Sequence, residues 1–244
     1  METRDNLKTR NDLETVARDM PSWGRILIAW GLLVLCFWLW NTVDFPEWGN
    51  DIMGAILLSL SMTMILWFLY GTQRLKQFFA RMKKGNNLRL LLLFILLWIT
   101  PIVLMLIARL LGLLETGVSD RGANMTLLQV LLPEVSTAVQ MIGEEVLVAL
   151  ITFPLWGWFL KKEGTKRRSF LLATLIGSLV FGALHLPTYH GNLIACFVVI
   201  PLARIPLSYM WRAKDSLWAG IILHAVYDIL LVVLEYLEYS GLIG

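Results

Sequence analysis

Two adjacent carboxylates, Glu144 and Glu145, stand inside an apolar run of this 244-residue chain, His185 closes the next run, and His224 and Asp228 share a later one. An ionisable group at membrane depth costs about 2.5 to 3.5 kcal/mol on insertion scales unless it is paired or solvated. Residues that a bilayer rejects point to a working site. On a helix, residues four apart share a face, so His224 and Asp228 point the same way, as do Phe181 and His185. The neighbours Glu144 and Glu145 diverge by about 100°. One glutamate can therefore face a cavity while the other turns to a partner helix. That division suits hydrolysis, in which one carboxylate takes a proton from water and other groups stabilise the oxyanion on the scissile carbonyl. Other chemistries use the same residue types. Two histidines and several carboxylates make a zinc or iron ligand set, although no His-Glu-x-x-His arrangement is present. Intramembrane acids also relay ions in carriers, and polar groups also glue helices together.

The elements that hold these residues are membrane helices. Hydrophobic residues make up 57% of the chain, charged residues only 16%, and there are 11 Trp. A spanning helix needs about 20 predominantly apolar residues. Seven stretches meet that, near 25 to 43, 52 to 71, 88 to 114, 137 to 160, 169 to 187, 192 to 211 and 216 to 237. The fold class is all-α, a polytopic helix bundle. Pro101 predicts a kink or tilt in the third span. Residues 125 to 132 are too short to cross and end at Pro133, which fits an interfacial or re-entrant helix. The organisation expected is a cytoplasmic segment at 1 to 24 and one membrane domain at 25 to 244, with the site residues within 137 to 239.

Of the 21 Lys and Arg, all but Arg109, Arg121 and Arg204 fall in alternate gaps between these stretches. The positive-inside rule then places the N-terminus in the cytoplasm of a multi-pass cell-membrane protein. It also puts the acid and histidine cluster in the outer half of the bilayer, roofed by residues 115 to 136 and 187 to 192. The charged first 22 residues and the Asn41-Thr42-Val43-Asp44 end of the first run argue for a retained helix over a signal peptide. Trp23, Trp40, Trp48, Trp156, Trp158, Trp211 and Trp218 lie near span ends and read as interfacial anchors. Cys36 and Cys196 lie mid-run and read as small hydrophobes. His190 reads as a water-facing loop residue, and Glu134 and Gln140 as hydrated lining. Asn124-Met125-Thr126 matches a glycosylation acceptor, a pattern common by chance. Basic residues are spread over loops, so nothing supports a nucleic-acid partner. The partners expected are the lipid bilayer and a peptide or membrane-protein substrate.

Glu144-Glu145, then Phe181-x-x-x-His185, then His224-x-x-x-Asp228, in that order within apolar helices, resembles the CPBP family of intramembrane proteases. That family includes CAAX prenyl proteases and bacterial bacteriocin-processing or self-immunity proteins. The resemblance covers about residues 137 to 239 and implies a glutamic endopeptidase that requires no metal cofactor. It implies that Glu144 activates water, that His185 works with it, that Glu145 is a supporting acid, and that His224 with Asp228 supports the oxyanion or holds the site together. Two positions depart from the pattern. The family's first motif is Glu-Glu-x-x-x-Arg, and here Ala149 takes the arginine's place. Arg204 and Arg109 are intramembrane cations that could replace it, with Arg109 better explained by snorkelling near its span end. Ionised Asp228 only accepts hydrogen bonds, so it orients a donor and does not touch the oxyanion. Two alternatives remain: a non-proteolytic immunity or scaffolding protein, favoured by the lost arginine, and a zinc-dependent protease. The short loops lean towards bacterial peptide cargo over prenylated proteins.

Overall fold

The computed structural model describes residues 12–42, 50–112, 126–163 and 165–240. Most of the charged N-terminal residues, Trp48, Arg121, the Asn124 acceptor and the larger part of the expected roof lie outside these residues. Every regular element among the described residues is a helix: α1 (Leu13–Arg18), α2 (Trp23–Thr42), α3 (Asn50–Phe78), α4 (Asn87–Leu110), α5 (Leu127–Leu131), α6 (Glu134–Glu163), α7 (Lys166–Leu184), a π-helical turn (Ala195–Val199), α8 (Ile200–Lys214) and α9 (Trp218–Tyr239). Five described stretches are long and apolar enough to cross a membrane, namely Ile52–Phe78, Asn87–Leu110, Leu127–Lys162, Lys166–Leu184 and Trp218–Glu238. The protein is a multi-pass, all-α membrane bundle.

The other two expected stretches are helical as well. The first falls in the 20-residue α2. The stretch near 192 to 211 runs through the π turn into α8, because Pro201 lacks an N–H and crowds the carbonyl four residues back, and the helix widens just before it. Gly182 of α7 allows this turn to pack closely, since a Cβ there would collide with the Cys196 carbonyl. Thr126 and Gln129 cap α5 reciprocally, and α6 starts afresh after Pro133. Pro101 lies within α4, whose Leu97 and Ala108 are buried while most of its length faces outward.

The centre of the bundle is α6. Its Val146, Leu147, Leu150, Phe153 and Trp156 form one core with Leu58, Met62 and Leu66 of α3, Phe170 and Ala173 of α7, and Trp211 and Ile221 beyond. Leu13, Val16 and Ala17 of α1 join that core, so this part of the N-terminal segment is packed into the bundle. The basic loops gather with α1 at one end. Asp215 accepts from Leu13 N at 2.7 Å and pairs with Lys83 at 2.5 Å, Lys166 pairs with Glu14 at 2.9 Å, and Arg74 pairs with Asp19. Burial pushes the Glu14 carboxyl up, but Lys166 and Arg18 outweigh it and hold Glu14 below the usual range. The end bearing Glu134 and His185 is the opposite one, as the up-and-down path of α6 and α7 requires.

Two tryptophans read as interfacial anchors are instead core residues, Trp156 at 1% exposure and Trp211 at 0%. Each lies on the inward face of its helix, and that face outweighs nearness to the span end. Arg109 and His190 are exposed, as expected.

Candidate active site

Glu145 is the hub. Its Oε1 lies 2.7 Å from Arg204 Nη1 of α8 and 2.9 Å from His224 Nδ1 of α9, and its Oε2 accepts from Trp211 Nε1 of α8 at 2.6 Å. The carboxylate is fully buried. A buried charge is tolerated only when it is paired and its lone pairs are satisfied, and three partners from two helices do that here. The cation that Ala149 fails to supply therefore comes from Arg204, which is 2% exposed. The Arg204 guanidinium lies 5.0 Å from the Phe181 ring centre and 5.5 Å from that of Trp211, which adds a cation–π contribution on both sides.

Glu144, one residue earlier, is turned elsewhere. It is partly exposed and accepts from Gln140 Nε2 at 2.7 Å through Oε1, and among the described residues no donor reaches Oε2. The preceding turn of α6 is fixed by Ser59 of α3, whose hydroxyl donates to Val139 O at 2.7 Å and accepts from Gly143 N at 3.1 Å. Those two backbone groups would otherwise close a helical turn, so Ser59 fastens the helix at the residue before Glu144. Gly143 is required for this approach, because a Cβ would lie 2.8 Å from Leu58 Cγ.

His185 follows the last residue of α7. Its Nδ1 lies 2.8 Å from Phe181 O, and since a carbonyl can only accept, Nδ1 carries the proton and Nε2 is left with its lone pair. The His185 and Phe181 rings are 4.5 Å apart, which joins His185 to the Arg204 cluster through Phe181. His224 gives its Nδ1 edge to Glu145 and turns Nε2 towards Asp228, 3.7 Å away and beyond hydrogen-bond range. Asp228 is 25% exposed. Glu144 and Glu134 are within electrostatic reach of Asp228, and Glu144 also of His224.

Thus Glu145, Arg204, His224 and Phe181 meet directly and Asp228 joins through His224. Glu144 and His185 flank them, each held by a neighbour on its own helix and not by the other. Among the described residues no three His, Cys, Asp or Glu side chains converge as a metal set.

Three participants escaped the sequence reading: Trp211, Ser59 and Gly220. A Cβ on Gly220 of α9 would lie 2.5 Å from Glu145 Oε2 and closer still to Trp211 Nε1. A signal for Trp211 existed, since it follows Arg204 by seven residues on one helical face. For Ser59, on a helix outside the motif region, there was none.

Residues 124–230 match the family model described as type II CAAX prenyl endopeptidase Rce1-like. No curated protein and no solved structure matches the chain. The matched stretch contains every helix that contributes to the acid and histidine cluster, from α5 through most of α9, and over it the chain is similar to the type II CAAX prenyl endopeptidases.

Proposed function

We propose that the protein cleaves a peptide bond of a peptide or membrane-associated substrate, within or beside the bilayer, with a water activated by Glu144. The observation that supports this is the unequal treatment of two adjacent carboxylates. Glu145 has both oxygens committed and is sealed, whereas Glu144 has one oxygen held by Gln140 and one open. The first is an anchor and the second is free to take a proton.

In this mechanism Glu144 removes a proton from water as the water oxygen bonds to the scissile carbonyl carbon. His185, fixed by Phe181, offers Nε2 to orient the same water. The carbonyl becomes a tetrahedral oxyanion, and a protonated Nε2 on His224 donates to it while Glu145 accepts the hydrogen bond from Nδ1. Asp228, 3.7 Å from Nε2, acts on the imidazole through its charge and not through a hydrogen bond. Collapse breaks the C–N bond, and the proton held by Glu144 passes to the leaving amine. The charge-based topology puts this chemistry in the outer half of the bilayer and favours leader peptides, pheromones or bacteriocins over prenylated cytosolic cargo. The immunity or scaffolding alternative drew on the arginine missing at position 149, and Arg204 now supplies that charge.

The test compares the membrane peptidomes of cells expressing wild type and Glu144→Gln at equal levels. Peptides present only with wild type are expected. Identical peptidomes would leave the proteolytic reading without support and favour a scaffold.

A further inference from the structure

We propose that Trp211 and Gly220 form a positioning pair for hydrolysis, in which the indole N–H fixes Glu145 as a permanent acceptor and Gly220 keeps the space that this hydrogen bond needs. The proposal rests on the proteolytic reading above.

Arg204 and His224 both act on Glu145 Oε1. With these alone the carboxylate could pivot about Oε1, and Oε2 could then compete with Glu144 for the water or for the proton. Trp211 Nε1 removes that freedom at 2.6 Å, a short, charge-assisted contact. Because an indole N–H only donates, it can neither take a proton from Glu145 nor give one up during turnover. The Trp211 ring is itself immobilised, buried and stacked on Phe153 with centres 6.2 Å apart and planes 24° apart. Gly220 approaches both ends of the bond from α9, one helical turn before His224 on the same face. One glycine thus lets the indole and the imidazole reach the same carboxylate. The pair keeps Glu145 from becoming a second base and keeps the His224 Nδ1 partner in place, so its loss should appear in the chemical step and not in substrate binding.

The test uses the full-length protein in proteoliposomes and a synthetic peptide spanning a site that is cleaved by wild type and left intact by Glu144→Gln. Two changes at position 211 are compared: Trp211→Phe, and the tryptophan isostere in which sulfur replaces the indole N–H. The isostere keeps the shape, so it reports on the hydrogen bond even if Trp211→Phe fails to fold. The expected result is a fall in kcat of about tenfold or more with KM unchanged, which is the size of one lost hydrogen bond to a charged group. Wild-type kcat in the isostere would make Trp211 a packing residue and overturn the proposal. If no peptide distinguishes wild type from Glu144→Gln, the proteolytic reading itself falls and takes this inference with it.

Discussion

Arg204 reaches Glu145 at 2.7 Å from α8, and both side chains are shut off from solvent, 1% and 0% exposed. A position one turn after Glu145 on the same helix would be the simplest place for such a cation, but Ala149 is packed in the core at 0% exposure. Moving the charge to another helix turns a local pair into a clamp between α6 and α8. Arg204→Ala leaves a buried carboxylate with one charged partner fewer and is expected to cost about 3 to 5 kcal/mol, whereas Glu145→Gln combined with Arg204→Met costs less than either change alone. Unfolding followed in detergent measures this. A double variant no better than the singles would mean that the two groups do not act as a pair.

His185→Ala and His224→Ala are both expected to lower cleavage by about a hundredfold or more. They should differ in stability. His185 follows a helix end at the rim, and among the described residues its side chain hydrogen-bonds to Phe181 O alone, so its loss leaves the melting temperature nearly unchanged. His224 bonds to the buried Glu145, and its removal should cost about 1.5 to 3 kcal/mol. Activity and thermal melting of the two purified variants check the split, and equal destabilisation would contradict it.

Incubation with a strong chelator should leave cleavage at its starting rate, because in the glutamic mechanism no metal generates the nucleophile. Loss of activity that zinc restores would replace this mechanism with a metal-assisted one.

Sidedness follows from the charge pattern and is open to labelling. With Cys36 and Cys196 replaced, single cysteines at positions 165 and 190 occupy exposed sites before α7 and after its far end. An impermeant reagent applied to intact cells should label position 190 and spare position 165. The reverse pattern would invert the topology and put the site on the cytoplasmic face.

Much of the site was legible because its residues are expensive. Glu145, Arg204 and His224 stand out in apolar sequence, and the rule that buried charges need partners made Arg204 a candidate for the missing cation, while the bond from His224 to Glu145 came only from the structure. The helical period placed Phe181 with His185 and His224 with Asp228, and the structure keeps both pairs on shared faces. Trp211 was hidden because an aromatic near a span end has a commoner explanation at the interface, and only its depth in the core decides otherwise. Gly220 and Ser59 act by close approach between helices, a property of packing that no spacing within one helix encodes. The stretch near 192 to 211 was apolar enough to look like a plain span, and the π turn before Pro201 was not read from the sequence, although a proline there disfavours a regular helical turn.

The central claim is that Glu144, and not its buried neighbour, activates the water. Its most direct test is a single-turnover assay of purified, metal-stripped wild type and Glu144→Gln in proteoliposomes, using a peptide taken from the wild-type-specific products. Because among the described residues Glu144 hydrogen-bonds to Gln140 alone, the substitution should leave the melting temperature unchanged while cleavage falls by at least about a hundredfold. Cleavage by Glu144→Gln at the wild-type rate would contradict the account.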